Sequence, residues 1–210
     1  DYFTAWVHQI KTPLSVMRLQ LQSEDTPENR AMLAELFQME QYVTMALSYA
    51  RLGNPTKDLV LTRVPLDPVI RQAIRDFAPL LIRKKLRLQY EPTAESALTD
   101  SKWLLFILHQ LLSNAVKYTD RGHVSIRVTS APAIIVADTG IGIAPEDVPR
   151  VFEKGYTGYN GRGGQKSTGL GLYLVHQTAE MLHCRVSLSS RIGEGTSVTI
   201  DLHQEELGKE

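Results

Sequence analysis

The chain has 210 residues, 43% of them hydrophobic and 22% charged, the balance of a soluble globular protein with room for one ordinary domain and a small one. Lys and Arg total 23, as do Asp and Glu, so the chain lacks the basic surplus that counterion release from nucleic acid requires, and nucleic acid is not its expected partner. The single cysteine, Cys184, rules out an internal disulfide, and no apolar run approaches the roughly 20 residues that span a bilayer.

The first segment places Phe3, Val7, Ile10, Leu14, Met17 and Leu21 at alternating steps of four and three. That is the narrow seam of a coiled coil. Met32, Leu36, Met39, Val43, Ala46 and Ala50 repeat it, and Ser23-Glu24-Asp25-Thr26-Pro27 between them reads as a turn with proline where a second helix begins. An antiparallel helical hairpin over residues 1–53 is expected. One narrow seam buries too little for a hairpin alone. Pairing with a second copy into a four-helix bundle is therefore expected, giving a symmetric homodimer; packing of the hairpin on the second domain is the alternative. The pattern is already in phase at Phe3, so the chain is expected to be a piece of a longer protein.

Gly53-Asn54-Pro55-Thr56 marks the expected boundary with a second domain over residues 54–210. There Asp67-Pro68 predicts an N-cap and first helical position for a helix to about Arg83, and Leu86–Tyr90 alternates as a strand. Asp100 is placed to cap a long apolar helix over Ser101–Tyr118. Strands are expected at Val124–Val128 and Ala133–Ala137, a short helix at Pro145–Phe152, and a longer helix from about Gly169 to His183. Two last strands, Arg185–Ser189 and Ser197–Leu202, flank a Gly-Glu-Gly turn. The mixture predicts an α+β fold, with helices on one face of a sheet.

Residues able to do chemistry recur along this framework. His8 sits one position past the seam residue Val7, with Thr12 one turn on and Pro13 placed to bend the helix. A histidine can act as a nucleophile and carry a covalent group, although a lone one is ordinarily a surface residue. Asn114 and Lys117 share a helix face; an Asn oxygen suits Mg²⁺ and a Lys can neutralise phosphate. Asp138 ends an apolar strand before Gly140 and Gly142, where a carboxylate can accept from an exocyclic amine such as that of adenine. Tyr156 to Lys166 is glycine-rich and carries Arg162 and Lys166, as a phosphate-covering lid would. Thr168-Gly169-Leu170-Gly171 then opens a helix, whose free N–H groups form an anion site. Each piece alone has an ordinary structural reading. In this order they describe a histidine that receives phosphate from ATP. Cys184 with His183 and His176 lacks a further ligand at metal spacing and reads as a small residue at a helix-to-strand junction.

These residues resemble the sensor histidine kinases of two-component signalling over nearly the whole chain. Trp6–Pro13 is similar to the phospho-acceptor box, Gln110–Tyr118 to the asparagine box, and Asp138–Ile143 to the first glycine box. Val151–Lys154 is similar to the phenylalanine box and Ser167–Leu172 to the second glycine box. The wording Trp-Val-His-Gln-Ile-Lys-Thr-Pro, with the run Phe152–Gly158, resembles the bacitracin-sensor type of Gram-positive bacteria. The resemblance implies a dimerisation and phosphotransfer hairpin followed by an ATP-binding domain of the gyrase, chaperone and kinase type. It implies ATP and Mg²⁺ as cofactors, and a homodimer that passes phosphate to an aspartate of a response regulator and, as a further activity, removes it. It also implies a peptide-exporting ABC transporter as a partner through a membrane part outside this chain, which would itself be the cytoplasmic, soluble portion of a plasma-membrane protein.

By position, His8 would be the nucleophile and Thr12 would position water in dephosphorylation. Asn114 would bind Mg²⁺, Lys117 the phosphates, and Tyr118 would lie against the nucleotide. Asp138 would read the adenine amine with Gly140, Gly142 and Ile143 around the base, and Thr168, Gly169, Leu170 and Gly171 would hold the phosphates. Three departures stand out. Gln9 occupies a place usually acidic, and an amide cannot take a proton as a base. Gln110 replaces an Asn, its oxygen reaching Mg²⁺ on a longer arm. Gly155 and Thr157 stand where a second aromatic and an Arg are usual, so Arg162 or Lys166 is expected to supply the lid cation. Two other readings compete: a nucleotide-binding dimeric scaffold without transfer, and another ATPase of the same superfamily.

Overall fold

The computed structural model of the chain describes residues 2–52, 59–158 and 168–203, with backbone alone for 2–8 and 51–52. The chain divides into two compact units, residues 1–57 and 58–210. The expected boundary at Gly53–Thr56 lies outside the described residues.

The first unit is a helical hairpin of α1 (Tyr2–Gln22) and α2 (Pro27–Leu52). Thr26 starts α2 as the sequence suggests, with Pro27 at the first position. The Thr26 hydroxyl accepts from Asn29 N–H at 3.1 Å, satisfying a donor that has no partner within the helix. Leu14, Ala34, Leu36, Leu47 and Ser48 are buried inside the hairpin. The anticipated second seam divides: Leu36 is inside, but Met32 and Met39 are 57% and 52% exposed. Val16, Met17, Leu19, Tyr42 and Tyr49 are exposed as well. The physical reason is geometric. Each helix spends one stripe on its hairpin partner, and the remaining apolar residues lie on faces that this pairing does not reach.

The second unit is a two-layer sandwich. Its sheet has the order β2-β4-β5-β7-β6, built from β2 (Arg87–Tyr90), β4 (His123–Val128), β5 (Ala133–Asp138), β6 (Arg185–Arg191) and β7 (Gly195–Asp201). Only β2–β4 is parallel; the other pairs are antiparallel. In the register, Ile126 lies opposite Val136, Val136 opposite Val198, and Ile134 opposite Ile200. These buried residues share one face by the period of two, while Ser125, Ala137, Ser197 and Ser189 line the other. The helices α3 (Leu66–Arg83), α4 (Ser101–Tyr118) and α5 (Gly171–Met181) cover the apolar face. Helix α4 is central, packing on α3, α5 and β5, and buries Leu104, Ile107, Leu108 and Leu112 completely. Each such side chain contributes about 1.5–3 kcal/mol.

Some local expectations hold and others change. Asp100 caps α4, accepting from Lys102 N–H at 2.9 Å and Trp103 N–H at 3.3 Å. Asp67 is not a cap: it lies inside the first turn of α3, where it accepts from Arg71 and from the Tyr90 hydroxyl, both at 2.6 Å. Those bonds hold its carboxyl below the usual range, the Tyr90 bond contributing most. A small antiparallel pair, β1 (Thr62–Pro65) and β3 (Ser96–Thr99), was not anticipated. The expected helix at Pro145–Phe152 is a single 3₁₀ turn, Val148–Arg150, because Pro145 and Pro149 remove two backbone donors within one turn's length. Helix α5 begins at Gly171, since Gly169 has φ +66°, and ends at Met181 in a Schellman turn with His183 at φ +56°. Cys184 follows, buried at the junction with β6.

Candidate nucleotide-binding site

Helix α4 organises the site. Gln110, Asn114 and Tyr118 succeed one another at steps of four on one helix face, with Lys117 beside them, its ammonium 5.3 Å from the Tyr118 ring centre. Eight residues at the α-helical rise place Gln110 and Tyr118 about 12 Å apart along the axis. A glycine turn meets the helix at each end of that interval.

At the Tyr118 end lies the turn that follows β5. Ile141 N–H donates to the Tyr118 carbonyl at 3.1 Å, and Gly140 approaches so closely that a Cβ there would stand 2.4 Å from the same oxygen. Asp138 ends β5 and accepts from Gly140 N–H at 2.8 Å. Burial raises its carboxyl above the ordinary value, opposed chiefly by the hydrogen bond from Gly140 N–H. Gly142, at φ +71°, leaves room for the Arg191 carbonyl, which a Cβ would meet at 2.0 Å.

The β6–β7 hairpin holds this turn from the other side. Gly193 N–H donates to Ile141 O at 2.8 Å, and Ile143 N–H donates to Ser190 Oγ at 2.8 Å. A Cβ on Gly195 would be 1.9 Å from Asp138 O. The sequence reading treated Gly-Glu-Gly only as a hairpin turn. The signal available was the second glycine, Gly195, which lies in β7 beyond the three-residue turn 192–194.

At the Gln110 end lies the start of α5. Gln110 is 3% exposed; its Oε1 would be 3.3 Å from a Cβ on Gly171, and its buried Nε2 has no hydrogen-bond partner among the described residues. Gly169 packs backbone to backbone on Gly155, whose N–H donates to Gly169 O at 3.0 Å. It is Gly169 whose missing Cβ admits this approach, since a Cβ there would stand 2.3 Å from Gly155 C. Phe152 lies 5.5 Å, ring to ring, from His176 on α5. Arg150 stacks over Tyr156 at 4.3 Å, and the Tyr156 hydroxyl donates to Asp147. Thr168 Oγ1 accepts from Leu170 N–H at 3.4 Å. Arg162 and Lys166 lie outside the described residues.

Lys84 was also missed. Its ammonium donates to the carbonyls of Val116 at 2.7 Å, Thr119 at 3.1 Å and Lys117 at 3.3 Å, capping the end of α4 that carries Lys117 and Tyr118. Nothing in local sequence links positions so far apart.

In the other unit, His8 has its backbone within α1, and Gln9 and Thr12 are exposed one residue and one turn beyond it. α1 runs on through Pro13, whose missing N–H leaves the Gln9 carbonyl without its helical donor. Among the described residues no cluster of three or more His, Cys, Asp or Glu side chains suits a metal. The Asn114 and Gln110 amides, on one face of α4, are oxygen donors of the kind that could serve a Mg²⁺ ion that keeps most of its water and arrives with phosphate.

The comparisons agree with this geometry. The profile of the histidine kinase-, DNA gyrase B-, and HSP90-like ATPases matches residues 99–206, from the cap of α4 past the end of β7. Sensor protein BceS of Halalkalibacterium halodurans is 36% identical over 209 residues, which is 98% of this chain and 63% of the relative. Sensor histidine kinase YxdK of Bacillus subtilis is 36% identical over 203 residues, 94% of this chain and 62% of the relative. The chain thus spans somewhat under two thirds of these relatives' length. Full-length ShkA, solved in complex with AMPPNP, superposes with a TM-score of 0.65 at 25% identity, covering 95% of this chain and 44% of that one. The histidine kinase AdeS of Acinetobacter baumannii shares the fold, with a TM-score of 0.63 at 21% identity over 94% of this chain and 98% of its own. This chain belongs to the histidine kinase-, DNA gyrase B-, and HSP90-like ATPase family, and its similarity reaches across both units to the sensor histidine kinases within it.

Proposed function

We propose that the chain is the kinase portion of a dimeric sensor histidine kinase, which binds ATP in the second unit and transfers its γ-phosphate to His8. One observation carries the reading. A base-reading carboxylate turn and a helix N-terminus meet the same face of α4 about 12 Å apart, with Asn114 and Lys117 between them. That spacing suits an extended nucleotide. Asp138 accepts from the adenine amine, Ile143 and Tyr118 lie against the base, and Lys117 neutralises phosphate. The N–H groups at the start of α5 offer the phosphate chain an anion site, and Thr168, Arg162 and Lys166 are its further phosphate-binding residues in this reading. Asn114 offers its amide oxygen to Mg²⁺. Gln110 gives the metal its own oxygen, or gives a phosphate its unpaired Nε2, since the two ends of an amide exchange by a flip. Mg²⁺ bound there would spread the negative charge of the phosphates.

Phosphoryl transfer asks chiefly for positioning and charge neutralisation. A neutral imidazole at His8 is nucleophilic at physiological pH. Its ring nitrogen forms a bond to the γ-phosphorus as the bond to the ADP oxygen breaks. Gln9 cannot take the proton released, so the proton leaves to solvent and the reaction is slow relative to kinases with an acid there. The phosphate then passes to an aspartate of a response regulator, and Thr12 positions water when the regulator is dephosphorylated. The exposed apolar residues of the hairpin, Met32, Met39 and Tyr42 among them, are its contact with a second copy. We further propose a membrane part outside this chain and a peptide-exporting ABC transporter as its partner, as the resemblance to the bacitracin-sensor type implies.

The test is incubation with γ-labelled ATP and Mg²⁺. The parent acquires label that acid removes, and His8→Ala acquires none. Equal labelling of His8→Ala, or label that survives acid, overturns the proposal.

A further inference from the structure

The turn from Thr139 to Ile143 carries the residues around the base, yet two of its five positions are glycine and it has little side chain with which to hold itself still. Its start is tied by Thr139 N–H to His123 O and Gly140 N–H to the Asp138 carboxylate, and three further bonds hold Ile141 and Ile143. Two are backbone to backbone: Ile141 N–H to Tyr118 O, and Gly193 N–H to Ile141 O. The third is a side chain, the Ser190 hydroxyl, which receives Ile143 N–H at 2.8 Å.

That hydroxyl is fully used. It has one proton and two lone pairs. The proton goes to Gly195 O at 2.8 Å, so the contact of 2.9 Å with Thr196 Oγ1 has Thr196 as donor. Ser190 Oγ therefore accepts twice and donates once. Thr196 in turn lies opposite Asp138 in the β5–β7 register, and its neighbour Gly195 comes so close that a Cβ there would stand 1.9 Å from Asp138 O. One oxygen thus joins the far end of the turn to the Gly195–Thr196 segment that packs against Asp138.

We propose that Ser190 is a positioning residue for base recognition, fixing the 139–143 turn and the Asp138 carboxylate in one geometry through its hydroxyl. It touches neither the nucleotide nor the reacting atoms. The inference rests on the nucleotide reading above. A site held in its bound shape before the ligand arrives spends less of the binding free energy on ordering. Loss of the hydroxyl leaves Ile143 N–H unpaired and Asp138 less well aimed, which weakens affinity and blurs discrimination between bases.

The experiment is calorimetric titration of the intact chain with ATP, ADP and GTP, each with Mg²⁺, for the parent, Ser190→Val and Ser190→Thr. Val and Thr have nearly the same shape, so the pair isolates the hydroxyl. Ser190→Val is expected to weaken ATP and ADP by the same factor, about tenfold, and to narrow the preference for ATP over GTP. Ser190→Thr is expected to stay within about twofold of the parent on both counts. Should Val not be accommodated, Ser190→Ala removes the same hydroxyl without added volume, and the same loss is expected. A general loosening of the fold would not move the ATP-to-GTP ratio. Parental affinity and parental base preference in a folded Val or Ala variant would overturn the inference and leave the nucleotide reading standing. A parent that binds no ATP would overturn both.

Discussion

Replacing Gly142 by alanine separates backbone strain from steric exclusion within one turn. At φ +71° an L-residue costs about 1–2 kcal/mol. The new Cβ would also stand 2.0 Å from the Arg191 carbonyl oxygen, where an ordinary carbon–oxygen contact is about 3.3 Å. The turn and the β6–β7 hairpin must therefore part by roughly 1.3 Å, the difference between that contact and the 2.0 Å available. Such a shift breaks Ile143 N–H to Ser190 and Gly193 N–H to Ile141, both at 2.8 Å. At about 1 kcal/mol for each bond, the cost of keeping the binding geometry is about 3–4 kcal/mol in all. ATP affinity should fall at least 100-fold. Gly193 supplies the control. Its φ is +76° and nothing lies within 4 Å of its added Cβ. Gly193→Ala should therefore lose about 1–2 kcal/mol of stability and keep ATP affinity within about threefold. Calorimetric titration and thermal melting of both variants decide the matter. Gly142→Ala binding ATP within threefold of the parent, while folded, would refute the steric argument.

Asp138→Asn should melt higher than the parent at pH 7 and bind ATP about 10–100-fold more weakly, since an ionised acceptor makes the stronger bond. The sign follows from burial: the folded carboxyl titrates above 3.8, so the folded state binds more protons in that window and stability falls as pH rises through it. The melting difference should shrink as pH approaches 3.8, and a parent more stable than Asp138→Asn at neutral pH contradicts the account. Lys85 occupies the left-handed position after α3, at φ 55°, in a Schellman turn closed by Lys85 N–H to Ile82 O at 3.0 Å and Leu86 N–H to Leu81 O at 2.9 Å. Lys85→Gly should raise stability by about 1 kcal/mol in urea titration, and a loss would contradict the Schellman assignment. Burial raises the Cys184 thiol to about 12, so thiol reagents should label it slowly in the native chain at pH 8 and fast in denaturant. Fast native labelling would contradict its placement.

What was legible in the sequence was periodicity and punctuation. The Thr26-Pro27 start of α2, the Asp100 cap of α4 and the apolar strands β4 and β5 each rest on local rules, and each formed. The α4 face with Asn114, Lys117 and Tyr118 needed only the helical steps of three and four. What was not legible is what depends on partners distant in the chain. Lys84 caps carbonyls beyond residue 115, and Ser190 receives a donor 47 positions earlier. Nor does a local rule decide between competing uses of one residue. Asp67 precedes a proline as a cap would, but Arg71 and Tyr90 offer its carboxylate stronger bonds inside the first turn. The seam of α2 was read as one stripe because the sequence does not say that the hairpin interior takes its own share first.

The measurement that bears most directly on the account is phosphate mapping with ATP titration on three chains: the parent, His8→Ala and Asp138→Ala. The account expects acid-labile phosphate at His8 in the parent, parental ATP affinity without label in His8→Ala, and neither binding nor label in Asp138→Ala. Parental labelling of Asp138→Ala would contradict the nucleotide site. Phosphate at any residue other than His8 would contradict its link to the hairpin.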